Sequence, residues 1–242
     1  MDEGTTAPMS AREATPLDGT SRAARRPVRR RPTDLAWLAG AAVVVLMASL
    51  AIDGGHVGEL EERIFRWVNE GPDFLYPPWW ALMQYGTFIT IPLATLIAVL
   101  LRRIRLAVEL AVAGIGVYLF AKVVKEAVPR GRPGAVLDDV RLRGIGPEGL
   151  GFPSGHAAVS AALAFVLFAY LPRAWRWAFV VLGVIVSVGR LYVGAHLPLD
   201  VVGGAALGVA AGALVTFVGG VPERGSDTAG SPSPVPGERD HA

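Results

Sequence analysis

Three clusters of polar side chains stand beside long apolar stretches of this sequence, and their residue types suit the chemistry of a phosphate group. The last cluster contains Arg190, His196 and Asp200. Because His196 and Asp200 are four residues apart, a helix would place them on one face. A carboxylate there can accept a hydrogen bond from one imidazole nitrogen and leave the other nitrogen free as a nucleophile or base. The alternative is a snorkelling arginine beside a purely structural His–Asp pair.

The first cluster, Lys125 to Pro133, has basic residues on both sides of a proline and glycine break. We expect Lys125 to end a helix and Arg132 to follow the break. A compact ammonium and a planar guanidinium could then converge on one phosphate, with the guanidinium engaging two of its oxygens. A solvated basic loop is the alternative.

The second cluster, Pro153 to His156, predicts the start of a helix. Ser154 is a suitable N-cap residue, and Gly155 lets a ligand approach the backbone closely. Free amides and the positive end of the helix dipole favour an anion at this point, with His156 beside it in the first turn. A capped helix start with a histidine of no function is the alternative.

The elements that must position these clusters are six apolar blocks, which predict six transmembrane helices. Of 242 residues, 52% are hydrophobic and 18% are charged, against about 25% charged residues in soluble domains. Each block is continuous rather than alternating, and most approach the ~20 residues with which a helix crosses a bilayer. The blocks span residues 35–52, 77–101, 104–124, 156–172, 174–194 and 197–221. The predicted fold is an all-α integral membrane bundle.

A short amphipathic helix is predicted before the second span. Residues 59–70 place Leu60, Ile64, Trp67 and Val68 on one helical stripe with acidic residues opposite. This pattern suits a helix that lies on the outer membrane surface. An ordinary amphipathic loop helix is the alternative.

Two polar tails are predicted to flank the six-span domain, which we place at residues 35–221. Residues 1–34 form an Arg-rich tail and residues 222–242 a tail rich in Ser, Pro and Gly, and both compositions predict disorder. The Arg-rich tail could be a nucleic-acid arm. Because a membrane span follows it directly, we favour a cytoplasmic anchor and expect no nucleic-acid partner.

The distribution of arginines orients the bundle, since cytoplasmic loops of membrane proteins carry an excess of Lys and Arg. Both tails and the turns at 102–105 and 173–176 are predicted to be cytoplasmic, so all three clusters lie on the outer face. One outer segment, 122–153, departs from the rule. Its basic residues are Lys122, Lys125, Arg130, Arg132, Arg141 and Arg143. An anionic ligand would be one reason for this charge.

Several classes of site are excluded or disfavoured. The chain has no cysteine, which excludes disulfides, thiolate metal sites and cysteine nucleophiles. Two histidines and one aspartate could ligate zinc, but the surrounding basic residues would repel a dication. We therefore expect no metal or other cofactor, and assign no function to His56 or His241. For Glu109, inside the third block, the spacing indicates only an ion pair with Arg105.

Together, the three clusters resemble the signature of the type 2 phosphatidic acid phosphatase superfamily, which also includes the vanadium haloperoxidases and glucose-6-phosphatase. That signature is Lys, six residues, Arg-Pro; then Pro-Ser-Gly-His; then Ser-Arg, five residues, His, three residues, Asp. The order and spacings match from Lys125 to Asp200, and the resemblance covers roughly residues 60–220. Gly189 departs from the pattern, because the family usually has Ser before the arginine.

The resemblance implies a mechanism. His196 would attack phosphorus and form a phosphohistidine, Asp200 would orient His196, and His156 would protonate the leaving oxygen before water hydrolyses the intermediate. The residues implied to hold the phosphoryl oxygens are Lys125, Arg132, Ser154, Gly155 and Arg190. The family needs no metal, and the basic residues can take its place.

The predicted function is that of a lipid phosphatase in the cytoplasmic membrane, with its site facing outward. A polyprenyl diphosphate such as an undecaprenyl carrier, phosphatidic acid and phosphatidylglycerol phosphate are the candidate substrates, and the sequence does not choose among them. One alternative is a phosphotransferase with an alcohol or sugar acceptor. Another is a lipid-phosphate binding or transport protein without turnover. A vanadate-dependent oxidant is disfavoured, since those relatives are typically soluble.

Overall fold

The computed structural model describes residues 28–52, 56–144 and 148–222, and this part of the chain is almost entirely helical. The helices are α1 (Pro32–Ala51), α2 (Glu59–Asn69), α3 (Tyr76–Met83), α4 (Thr90–Leu100), α5 (Ile104–Ala127), α6 (Pro133–Val136), α7 (Gly155–Tyr170), α8 (Arg173–Tyr192) and α9 (Pro198–Gly219). Two two-residue strands, β1 (Val28–Arg29) and β2 (Val221–Pro222), pair antiparallel beside the ends of α1 and α9. The predicted disordered tails are 1–34 and 222–242. Residues 1–27 and 223–242 lie outside the described residues, whereas the rest of these tails includes β1, the first residues of α1 and the last residue of β2.

Helices occur at all six predicted spans, but six membrane crossings are not confirmed. Among the described residues, four helices are long and apolar enough to cross a bilayer, namely α1, α5, α8 and α9. Helix α7 has only 16 residues. At about 1.5 Å per residue it is shorter than the ~30 Å hydrocarbon core. It lies inside the bundle against α5, α8 and α9, with most of its side chains buried.

The predicted second span, 77–101, is broken in the structure. The segments Asp73–Gly86 and Thr90–Leu100 meet at 65° and form at most one bent span. Counting this bent span, the described residues contain up to five candidate membrane spans. The hydroxyls of Thr87 and Thr90 both donate to the Gln84 carbonyl, at 2.6 and 2.7 Å, and stabilise the break. A Cβ at Gly86 would lie 2.7 Å from the His156 carbonyl oxygen, so the break brings the chain against the first turn of α7. Gln84, Gly86 and Thr87 interrupt the apolar run at this turn, but the apolar residues on both sides led to the prediction of a single span.

A stripe of glycines in α9 brings this helix into close contact with α7. The glycines are spaced four apart at Gly204, Gly208 and Gly212. Added Cβ atoms there would collide with α7, from the Ser154 backbone at its start to the Phe165 side chain further along. Small residues permit such close helix packing in membranes. The stripe packs inside the bundle, and it fixes the start of α7 beside the start of α9.

Helix α2 forms where the amphipathic pattern predicts it, but it buries a different face. Leu60 and Trp67 are largely exposed, whereas Phe65 is buried in a cluster with residues of α7 and α9. Glu61 and Asn69 lie on the same buried side. The acidic side chains of α2 therefore do not all face away from the bundle, because the Glu61 carboxylate points into the protein.

The predicted ion pair of Glu109 is confirmed. Arg105 Nε lies 3.1 Å from Glu109 Oε1, and the Tyr170 hydroxyl donates to the same oxygen at 2.8 Å. These contacts join the first turn of α5 to the last turn of α7. They hold the end of the bundle that lies opposite the three polar clusters.

Candidate active site

The ends of five helices bring the three polar clusters together. Lys125 lies in the last turn of α5, Arg190 in the last turn of α8, and Asp200 in the first turn of α9. Arg132 immediately precedes α6, Ser154 immediately precedes α7, and His196 lies between α8 and α9. Electrostatic interactions join Lys125 to Arg132, Arg190 and Asp200, and join His156 to Arg132, Arg190 and His196. The eight predicted site residues therefore lie at the same end of the bundle.

His196 and Asp200 face each other across the start of α9. Nδ1 of His196 lies 3.5 Å from Oδ2 of Asp200, and both side chains are buried. The Leu197 amide donates to the same Oδ2 at 2.9 Å. The His196 amide donates to the Arg190 carbonyl at 3.2 Å, which ties the histidine to the end of α8.

Burial lowers the pKa of His196 to about 4; the adjacent Asp200 carboxylate opposes this shift, and the positive charge of Arg190 reinforces it. The imidazole is therefore neutral at neutral pH. With Nδ1 turned toward the carboxylate, Nε2 carries the available lone pair. This is the arrangement that a nucleophile or general base requires.

Ser154 occupies the N-cap position of α7 but does not cap it. Its amide donates to the Asp200 carbonyl at 2.8 Å, and its carbonyl accepts the Ala158 amide at 3.0 Å. The buried Oγ has no hydrogen-bond partner among the described residues. A Cβ at Gly155 would meet no described atom within 4 Å, so the backbone at the start of α7 faces open space. A free hydroxyl and an accessible amide suit an oxyanion here.

The basic side chains of the site differ in how their donors are used. Lys125 Nζ donates to the carbonyls of Leu150 and Gly151, at 2.9 and 3.1 Å. In contrast, the buried Nε atoms of Arg132 and Arg190 have no acceptor in the described part of the chain. Buried donors without acceptors are costly, and two neighbouring guanidinium groups repel each other. A bound oxyanion would relieve both costs.

Two residues of this region were not predicted as part of the site. Arg130 is buried, and its guanidinium binds both oxygens of Glu61 at 2.9 and 2.6 Å. Its Nη1 also lies 3.2 Å from Asp200 Oδ1. One signal was available for Glu61, because positions 61, 65 and 69 recur every four residues and mark a second face of α2.

The protein itself supplies acceptors for several basic residues of segment 122–153. Arg143 donates to the carbonyls of Asn69, Gly71 and Tyr192 at 2.6–2.8 Å and to the Asp73 carboxylate. Arg141 donates to the Glu70 carbonyl. An anionic ligand is therefore not needed to explain the charge of Arg141 and Arg143, and we expect it only near Lys125 and Arg132.

Gly189, the departure from the family signature, is explained by packing. A Cβ at this position would lie 2.8 Å from Met83 Cγ and 3.0 Å from Trp79 Cε3, both in α3. Glycine lets α3 approach α8 closely. A side chain at 189 would meet α3.

Comparison with known proteins identifies relatives over the part of the chain that holds the site. Residues 104–220 match the family model of the PAP2 superfamily, which is the type 2 phosphatidic acid phosphatase superfamily. The undecaprenyl-diphosphatase of Sulfolobus acidocaldarius is 30% identical over 129 residues, which are 52% of this chain and 62% of that protein. The decaprenylphosphoryl-5-phosphoribose phosphatase of Mycobacterium tuberculosis is 36% identical over 121 residues, 48% of this chain and 64% of that protein.

The fold is also that of a solved membrane protein. The structure of the first transmembrane PAP2 type phosphatidylglycerolphosphate phosphatase from Bacillus subtilis matches with a TM-score of 0.56 at 22% identity, over 75% of this chain and 94% of that chain. This likeness concerns the fold alone. The chain spans less than two thirds of the length of both curated relatives. Its apolar helices and these relatives identify it as a multi-pass membrane protein.

Proposed function

Because residues 104–220 match the family model of the PAP2 superfamily, we propose that this chain belongs to that superfamily and is a membrane phosphatase that hydrolyses lipid phosphates. One structural observation supports this function independently of the family match. Buried donors of Arg132, Arg190 and Ser154 without described partners lie at the same end of the bundle as the neutral imidazole of His196. Anion binding requires only the donors, whereas a nucleophile paired with a carboxylate suits turnover.

The proposed reaction has two steps. In the first, the Nε2 lone pair of His196 attacks phosphorus, the bond between phosphorus and the lipid oxygen breaks, and the imidazolium form of His156 gives that oxygen a proton. In the second, water attacks phosphorus, its proton goes to the neutral His156 left by the first step, and the bond between phosphorus and nitrogen breaks to release phosphate. Asp200 stabilises the positive imidazole ring of the phosphohistidine between the steps.

The remaining predicted residues hold the transferred group. The groups proposed to bind phosphoryl oxygens are the side chains of Lys125, Arg132, Ser154 and Arg190 and the Gly155 amide. Fixed donors of this kind stabilise the charge that develops in phosphoryl transfer, and removal of one donor typically costs ~10²–10³ in rate. Independence of metal ions stays a prediction, which rests on the basic character of this donor set.

We propose six crossings of the cytoplasmic membrane, with both termini inside and the site facing outward. Basic residues at 102–105 and 173–176 support this orientation. Helix α2 would then lie on the outer surface, with Leu60 and Trp67 in the lipid interface. The cysteine-free chain offers a direct test with Arg63→Cys and Arg103→Cys. A membrane-impermeant maleimide should label intact cells at position 63 and not at 103.

A polyprenyl-linked phosphate is the substrate class that we propose first. Both curated relatives carry names of phosphatases that act on polyprenyl compounds, an undecaprenyl diphosphate and a decaprenylphosphoryl sugar phosphate. A site at the outer end of the bundle can receive a head group while the lipid tail stays in the bilayer. Phosphatidic acid and phosphatidylglycerol phosphate are the competing substrates to be compared.

The test is phosphate release by the purified, detergent-solubilised protein from a panel of lipid mono- and diphosphates, with EDTA present. We expect release by the wild type and by His56→Ala, the matched control, and none by folded His196→Ala. Equal release by His196→Ala would overturn the mechanism. Product that appears only with an added alcohol or sugar would indicate a phosphotransferase. Binding without release would indicate a lipid-phosphate binding protein.

A further inference from the structure

A buried arginine lies directly behind the candidate catalytic pair, and the proposed mechanism does not use it. Arg130, between α5 and α6, is only 1% exposed. Its guanidinium binds both oxygens of Glu61 and lies 3.2 Å from Asp200 Oδ1. Burial by itself lowers the pKa of Arg130, but hydrogen bonds and charge from Glu61 and Asp200 outweigh burial and raise it. The guanidinium therefore stays charged between two buried carboxylates.

The two oxygens of Asp200 have different partners. Oδ1 faces Arg130 at 3.2 Å, while Oδ2 accepts the Leu197 amide at 2.9 Å and faces His196 at 3.5 Å. Rotation of the carboxylate out of its plane would break its contact with the guanidinium. Arg130 therefore fixes the orientation in which the carboxylate faces the imidazole.

Glu61 fixes the arginine in turn. It accepts two hydrogen bonds from the guanidinium, and its Oε1 also accepts the Leu199 amide at 2.9 Å. A planar guanidinium with a bidentate partner has one orientation, which a lysine ammonium cannot reproduce. Glu61 belongs to α2, so a helix outside the three motif clusters supports the site.

We propose that Arg130, held by Glu61, is a positioning residue that acts through Asp200 to orient and support His196. This inference rests on the proposed histidine phosphatase function. Arg130 touches neither the nucleophile nor the phosphoryl group. Its loss should therefore slow the chemical step and leave substrate binding nearly intact.

A double-mutant cycle with Asp200 tests the proposal. Phosphate release gives kcat and KM for the wild type, Arg130→Gln, Asp200→Asn and the double variant. We expect Arg130→Gln to lower kcat about ten- to hundredfold, as a small misplacement of a reacting group does, with KM changed less than about twofold. In the Asp200→Asn background the same change should lower kcat less than about threefold, because no ionised carboxylate remains to be oriented.

Two further variants separate positioning from general stability. Arg143→Gln removes another buried arginine, whose partners are backbone carbonyls and Asp73. The decreases in kcat caused by Arg143→Gln and by Asp200→Asn should multiply when the two are combined, because the sites are independent. Arg130→Lys should recover part of the lost kcat, because it keeps the charge without the fork. If Arg130→Gln does not fold, the double variant that combines it with Glu61→Gln removes one acid and one base together. This double variant should show the same loss of kcat.

Two results would overturn the proposal. One is a wild-type kcat in folded Arg130→Gln, and the other is a decrease in kcat of the double variant that equals the product of the decreases in Arg130→Gln and Asp200→Asn. Vanadate binding to the same variants, measured by calorimetry, gives a second readout without turnover. If the wild type releases no phosphate, the proposed function fails, and vanadate must still show His196-dependent binding that Arg130→Gln weakens. Equal vanadate affinity in wild type and Arg130→Gln would then overturn the positioning proposal as well.

Discussion

Nδ1 of His196 lies 3.5 Å from Oδ2 of Asp200, beyond the ~3.2 Å of an ordinary N–H···O hydrogen bond. The carboxylate is fixed on its other contacts, since Leu197 donates to Oδ2 at 2.9 Å and Arg130 lies 3.2 Å from Oδ1. The imidazole is thus the less constrained partner. A small rotation of His196 toward a phosphoryl group would not disturb the group that supports it.

Asp200→Asn should lower kcat about 10²- to 10⁴-fold, because a neutral amide cannot stabilise the positive phosphohistidine ring. KM should change little, since Asp200 is not proposed to contact the phosphoryl oxygens. Steady-state phosphate release measures both constants. Asp138→Asn, an exposed aspartate outside the site, is the control. A kcat within threefold of wild type in Asp200→Asn would contradict the assigned role.

Arg190→Lys should lower kcat/KM about ten- to hundredfold, although the positive charge is kept. The expected loss corresponds to about one or two charge-assisted hydrogen bonds of the planar guanidinium. Arg173→Lys, at the opposite end of α8, serves as the matched control and should retain wild-type kinetics. A similar loss in both variants would show that the effect does not arise at the site.

Stability should fall as the pH is lowered through the titration window of His196. Burial lowers the pKa of this histidine in the folded protein from 6.5 to about 4. Between these values the unfolded chain binds a proton more readily than the folded chain. The free energy of unfolding should therefore fall with decreasing pH, by at most about 1.4 kcal/mol per pH unit.

Thermal unfolding in detergent at pH 7.5, 5.5 and 4.5 measures this dependence. His196→Gln should lose the part of the pH dependence that the histidine contributes, while His56→Gln should retain it. Identical pH profiles for wild type and His196→Gln would indicate that His196 titrates normally in the folded protein.

Gly189→Ser, which restores the residue usual in the family, should destabilise this protein by about 1–3 kcal/mol rather than improve activity. The new side chain would meet Met83 and Trp79 of α3. Gly116→Ser is a suitable control, because a Cβ there meets no described atom within 4 Å. Thermal unfolding of both variants, and of Gly189→Ser combined with Met83→Ala, tests the clash. The double variant should regain part of the lost stability.

Trp67→Gln should reduce activity about two- to tenfold in lipid vesicles and leave activity in detergent micelles unchanged. This residue is 84% exposed on α2, where the proposed orientation places it in the lipid interface. Arg63→Gln, also exposed on α2, should have no comparable effect in vesicles. Equal losses of activity in vesicles and micelles for Trp67→Gln would argue that α2 does not contact the membrane.

Much of the architecture could be predicted from the sequence. Continuous apolar blocks correctly indicated a helix at each of six places, and the pattern of 59–70 correctly indicated α2. The family signature named eight residues that the structure brings to one end of the bundle. The bent segment near Gly86 escaped prediction, because 77–101 is apolar on both sides of the turn. Six crossings stay a proposal, since α7 is short and largely enclosed by other helices.

The amino-acid sequence by itself determined the helices and the residue types of the site, because hydropathy, helical period and motif spacing are properties of neighbouring residues. Only the tertiary structure decided which distant groups meet. Arg130 is 69 residues from Glu61 and 70 from Asp200, and its charge gave no sign of its partners. The need for glycine at position 189 likewise becomes evident only when α3 packs against α8. Such contacts depend on how helices pack in three dimensions, and local sequence patterns do not encode that arrangement.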